Sequence, residues 1–172
     1  MNKRILVAGI GNIFLGDDGF GVELAQRLLR RPVADGVRVV DFGIRGFDLA
    51  YALMDDYDAV VLVDAMPRGD VPGTLHTIER DLSALDPSAP EDATLETHGM
   101  NPMKVLAMVK AMGGQPKRLF VVGCEPENGA ASEEIERMGL SEPVAAAVDQ
   151  AVAMVESLVH RILAEQQATA AP

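Results

Sequence analysis

Four short runs of branched, continuously apolar residues set the fold class of this chain. They are RILVAG (Arg4 to Gly9), VRVVD (Val37 to Asp41), AVVLVD (Ala59 to Asp64) and RLFVVG (Arg118 to Gly123). A strand that shows one face to water alternates apolar with polar residues, so runs without that alternation predict strands covered on both faces. Helical spacing fills the intervals between them. VELAQRLLRR places Val22, Leu24, Ala25, Leu28 and Leu29 on one stripe and stops near Pro32, and FDLAYALM and PMKVLAMVKAM repeat that spacing. Asn101 is placed to cap the last of these, with Pro102 in its first turn. GTLHTIERD alternates and lies beside the turn signal Pro72-Gly73, which predicts an edge strand. From Ser141 onward, SEPVAAAVDQAVAMVESLVHRILAEQQ reads as a long amphipathic helix capped by Ser141, followed by a flexible tail over 168–172. Alternating strands and helices, without a repeat or a linker, predict one α/β domain over residues 1–172, a layered sandwich on a mostly parallel sheet.

Charge and composition remove several function classes. Twenty-six acids against fifteen Lys plus Arg give a formal charge of −11, and no basic stripe could track a nucleic-acid backbone. No apolar stretch approaches the roughly 20 residues needed to span a bilayer, so membrane insertion is not expected. The opening MNKRILVAGIGNIFLG resembles a secretory signal only at first sight, since Gly9, Gly11 and Asn12 break its apolar run and no A-x-A site follows. The single Cys124 cannot form an internal disulfide. These features together predict a cytoplasmic protein.

The segment AGIGNIFLGDDGFG (Ala8 to Gly21) follows the first strand and sets two acids among glycines. A dinucleotide fingerprint requires G-x-G-x-x-G, and here Phe14 stands where the third glycine belongs. A phosphate loop would need Gly-Lys-Ser/Thr, but no lysine or arginine occurs between Arg4 and Arg27. Asp17 and Asp18 would repel phosphate, so neither a nucleotide nor a flavin is expected as cofactor.

Ligands of open α/β sheets bind outside the carboxyl ends of the strands. Three features gather there: Asp17 and Asp18 after the first strand, Asp64 closing the third, and the long irregular stretch Asp81 to Gly99 carrying His98. Two carboxylates and an imidazole suit a borderline divalent ion such as nickel or zinc, with water or substrate completing the coordination. A plainer reading also fits the pattern, in which Asp17 or Asp18 is a helix N-cap and Asp64 caps a turn. His76 and His160 fall on the edge strand and the terminal helix and read as structural or solvated. Cys124 lies beside Glu125 and Glu127, whose charges oppose a thiolate, so it reads as inert. No G-x-S-x-G elbow is present, and Met100, Met103 and Met108 read as core or interface filling.

In order along the chain, ILVAGIGNIFLGDDGFG, VVDFGIRGFDL, AVVLVDA, THGMNP and LFVVGCEPE resemble the [NiFe]-hydrogenase maturation endopeptidases. These enzymes remove a C-terminal peptide from the hydrogenase large-subunit precursor after nickel insertion. The resemblance runs from Ile5 to the last helix. It implies a twisted five-stranded sheet flanked by helices on both sides, and a divalent metal, nickel, contributed by the substrate. It assigns the metal-contacting and catalytic roles to Asp18, Asp64 and His98. Relatives often carry glutamate where Asp18 stands, so the reach here is one methylene shorter. Asp41, Gly43 and Gly46 fall on the family's loop after the second strand and are candidates for substrate contact. The implied partner is the large-subunit precursor, and the protein is expected to act as a monomer. Two other readings use the same acids: a non-catalytic nickel-binding accessory protein of hydrogenase assembly, and a phospho-receiver domain. The second would need an acid pair directly at the end of the first strand and a lysine closing the last core strand.

Overall fold

The computed structural model describes residues 4–84, 101–127 and 138–169. Five strands form one sheet: β1 (Ile5–Ile10), β2 (Val37–Gly43), β3 (Ala59–Ala65), β4 (Leu75–Arg80) and β5 (Leu119–Cys124). Their spatial order is β2-β1-β3-β5-β4, parallel throughout except for β4, which runs antiparallel to β5 at the edge. The four helices are α1 (Phe20–Leu29), α2 (Gly46–Leu53), α3 (Pro102–Ala111) and α4 (Glu142–Thr169).

Two cores explain the continuous apolar runs of β1, β3 and β5, whereas β2, expected to be covered on both faces, is an edge strand that is only partly covered apart from Phe42. Along β1, Ile5 and Val7 point to one face and Leu6, Ala8 and Ile10 to the other, and all five are buried. The first face packs against α1 and α4 through Phe20, Leu24, Val148, Val155 and Ile162. The second packs against α2 and α3 through Leu49, Leu53, Val105 and Leu106. A strand between two helical layers has no side that tolerates a polar residue, which is the texture seen in the sequence. β4 alternates as an edge strand can, with only part of one row covered.

The expected helix boundaries recur with small shifts. Asn101 caps α3, its Oδ1 accepting the N–H groups of Met103 at 2.9 Å and Lys104 at 3.3 Å. Met103 and Met108 pack against the α2–α3 core; Met100 lies outside the described residues. Ser141 precedes α4 as expected, but its hydroxyl donates to Asp17.

Two glycines let α1 lie unusually close to the sheet. A Cβ on Gly9 would collide with the carbonyl oxygen of Gly21 and with Ala25, and one on Gly21 would collide with the carbonyl of Val63. This approach fixes where α1 begins, and therefore where the preceding turn presents its acids. Among the described residues no helix is long and apolar enough to cross a membrane.

Candidate active site

The carboxyl ends of β1, β2 and β3 supply the acids singled out in the sequence. After β1 the chain makes a 3-10 turn, Gly16–Gly19, that carries Asp17 and Asp18 and packs against β3. Gly11 makes the path possible: its φ is +136°, and a Cβ there would strike the carbonyl oxygen of Asp18. The glycines of this loop therefore serve close backbone approach.

Neither acid caps α1. Its N-cap is Gly19, without a side-chain hydrogen bond. Asp18 turns back toward β1, its Oδ2 accepting the Asn12 N–H at 2.6 Å, while Asn12 Oδ1 accepts the Phe14 N–H at 3.0 Å. Burial pushes the Asp18 carboxyl above its usual range, and the Asn12 hydrogen bond opposes that shift in part. The group is thus a half-buried carboxylate in surroundings that disfavour its charge, a condition that a bound cation relieves.

Asp17 turns the other way. Its Oδ1 accepts the Ser141 N–H at 2.7 Å, and its Oδ2 accepts the Ser141 hydroxyl at 2.8 Å and the Glu127 N–H at 2.9 Å. It binds the turn to the end of β5 and to the start of α4. Adjacent acids that look equivalent in sequence thus have separate tasks.

Asp64 lies in β3, half-buried, in register with Gly123 of β5, which pairs in turn with His76 of β4. Its side chain points to the same face as Leu62, the face covered by α2 and α3. Since α3 leads into β5, which is parallel to β3, the N-terminal end of α3 lies toward the carboxyl edge of the sheet. His98, the third candidate, lies outside the described residues, three positions before the α3 cap. Among the described residues no three His, Cys, Asp or Glu side chains come together to hold a metal ion. His76 Nε2 stands 2.9 Å from Asp70 Oδ2, without the alignment of a hydrogen bond, and His160 is exposed on α4.

The loop after β2 holds the candidates for substrate contact. A bulge shifts the β1–β2 register between Gly9 and Ile10, so that Gly9 faces Asp41 and Ile10 faces Gly43. Gly43 has φ +54°, and its carbonyl accepts the Gly11 N–H at 3.0 Å, tying this loop to the one that carries Asp18. Asp41 accepts a hydrogen bond from Gln26 Nε2 at 3.2 Å, and Gly46 opens α2. Arg45 clamps the loop by donating to the carbonyl oxygens of Phe42 and Asp41.

Cys124 is fully buried, and its thiol is pushed up to about 12, first by burial and then by the charges of Asp17 and Glu125. The inert reading holds. Glu125 has a task that the sequence analysis did not assign. It is only 4% exposed, and its two oxygens accept the N–H groups of Arg68 at 2.7 Å and Gly69 at 3.2 Å. It thereby shapes the turn that follows Asp64. The available signal was an acid directly after a buried strand, since a carboxylate there requires partners.

The hydrogenase maturation protease (HycI) family model matches residues 22–158 of this chain. Among curated relatives, the hydrogenase expression/formation protein HupD of Rhizobium leguminosarum bv. viciae is 31% identical over 176 residues, covering 98% of this chain and 82% of that protein. HupM of Azotobacter chroococcum is 33% identical over 174 residues, covering 99% and 77%. Among solved structures, the hydrogenase maturating endopeptidase HybD from E. coli superposes with a TM-score of 0.74 at 27% identity, over 92% of this chain and 93% of that one. A hydrogenase 2 maturation peptidase from a Thaumarchaeota archaeon gives 0.68 at 31% identity, over 92% and 99%. The phospho-receiver and non-catalytic accessory readings give way to these matches. The chain belongs to the hydrogenase maturation protease family and is a peptidase.

Proposed function

We propose that this peptidase removes the C-terminal extension of a [NiFe]-hydrogenase large-subunit precursor after nickel insertion, reading the bound nickel through Asp18, Asp64 and His98. The nickel arrives as part of the substrate. The observation that carries this reading is membership of the hydrogenase maturation protease family, with Asp18 half-buried on a turn that hydrogen bonds to Asn12 and Ser141 hold from both sides. Asp64 joins it from the neighbouring strand, at the end of a buried run. Two carboxylates and an imidazole leave open positions, which suits an ion already held by another protein.

In this account the chain contributes orientation and specificity. Asp18 and Asp64 engage a cation only when the precursor brings one, so an empty precursor gains nothing from docking and the cut is withheld. Asp41, Gly43 and Gly46 flank the peptide to be cut, on a loop coupled to the Asp18 loop through the Gly11–Gly43 hydrogen bond. The reaction takes place in the cytoplasm, with the protease acting as a monomer. The test is a processing assay with purified nickel-loaded precursor, followed by the size shift on a gel. Loss of processing in folded Asp18→Asn, Asp64→Asn and His98→Ala variants is expected. Undiminished processing in all three would remove the proposed site.

A further inference from the structure

We propose that Ile13, Phe14, Ile44, Phe47 and Tyr51 form an apolar rim on which the folded body of the large-subunit precursor docks, an inference that rests on the substrate reading given above. Phe47 and Tyr51 are 75% and 76% exposed, and Phe14 and Ile44 are each 55% exposed. Scattered apolar residues on a surface are ordinary, but Ile13, Phe14 and Ile44 belong to two loops that follow neighbouring strands and are joined by the Gly11–Gly43 hydrogen bond, and Phe47 and Tyr51 lie on α2, which continues the second loop. Phe47 and Tyr51 stand one turn apart on α2, on the side opposite the buried Leu49 and Leu53.

The rim is held firmly. Arg45 pins the backbone beneath Ile44 through the carbonyls of Asp41 and Phe42, and its other arm reaches Asp48 at 3.3 Å. The Phe14 N–H is fixed by Asn12, which in turn donates its own N–H to Asp18. Large apolar side chains on a preorganised backbone lose little further freedom on binding, which is the condition for an interface anchor.

Charge and position identify the occupant. In a chain of net charge −11, the segment from Phe42 to Met54 has two charged residues, Arg45 and Asp48, and these pair with each other. The rim is therefore a neutral window in an acidic protein, open to an apolar surface and not selective for a basic one. It lies at the same sheet edge as Asp18, Asp41 and Asp64. A second copy seated there would cover the loops that must receive the peptide, whereas the precursor must approach that edge to be cut.

The test measures KM and kcat for nickel-loaded precursor with the wild type, with Phe47→Ser, with Tyr51→Ser and with the double variant. Leu29→Ser, an exposed apolar position at the far end of α1, serves as control. The double variant is expected to raise KM by about tenfold or more, with the larger part of the loss in KM and not in kcat. Leu29→Ser should leave both constants unchanged. If the wild type cuts the precursor and the Phe47 and Tyr51 variants match its KM, the docking assignment alone is overturned. Sedimentation showing a wild-type dimer that the substitutions dissolve would also overturn it, by giving the face to a second copy. A wild type that leaves the precursor uncut would remove the substrate reading and this inference together.

Discussion

Asp17 and Ser141, 124 positions apart, are joined twice: the Ser141 N–H donates to Oδ1 at 2.7 Å and the Ser141 hydroxyl donates to Oδ2 at 2.8 Å. With the Glu127 N–H also bound, this one carboxylate ties the turn after β1 to β5 and α4. Asp18, the next residue, is thereby left to face the other way.

The Asp17→Ala variant should be destabilised by about 2–4 kcal/mol, because three hydrogen bonds to a charged acceptor are lost and two N–H donors are left without their partner. Processing should fall as well, although Asp17 is assigned no contact with the substrate. Urea denaturation alongside the gel assay separates the two effects. A variant of wild-type stability and rate would show that the anchor is dispensable.

Asp18→Asn should abolish processing yet stabilise the free protein at neutral pH. Burial raises the carboxyl in the folded state, so the native protein keeps its proton to higher pH than the unfolded chain does. This group therefore favours folding in acid and disfavours it increasingly as pH rises through the raised value. The stability difference between variant and wild type should be largest near pH 7 and shrink as pH falls to about 4, the ordinary carboxylate range. Thermal denaturation at both values checks the sign.

Cys124→Ser should keep processing within a few-fold of wild type while costing about 1–3 kcal/mol, because a hydroxyl replaces a buried sulfur among apolar neighbours. A thiol pushed up to about 12 should also resist iodoacetamide in the folded protein at pH 8. Rapid alkylation, or complete loss of processing with the fold intact, would reopen a cysteine mechanism.

The layered fold was legible because β1 and β3 are buried on both faces, and burial on two sides suppresses alternation. The edge position of β4 was legible for the opposite reason, but that of β2 was not, since its apolar run resembles a strand covered on both faces. Asp64 could be picked out as an acid ending such a run. The division of labour between Asp17 and Asp18 could not be, since it depends on Ser141 and Glu127, which only the tertiary fold brings near. Glu125 was passed over for a similar reason: its partners are the backbone N–H groups of Arg68 and Gly69, which every sequence contains. Ser141 stands at the cap position expected of it, its carbonyl accepting the Ala145 N–H at the start of α4, but the bond from its hydroxyl to the Asp17 carboxylate is a tertiary contact that no local pattern announces. His98 was singled out from its place in a long irregular segment and lies outside the described residues.

The central claim is that nickel in the substrate licenses the cut. The direct measurement is side-by-side incubation of nickel-loaded and nickel-free large-subunit precursor with the wild-type protein, following the loss of the C-terminal extension with time. The loaded form is expected to be trimmed and the nickel-free form to persist uncut. Equal cleavage of the two forms would contradict metal-gated recognition, even with the peptidase activity itself intact.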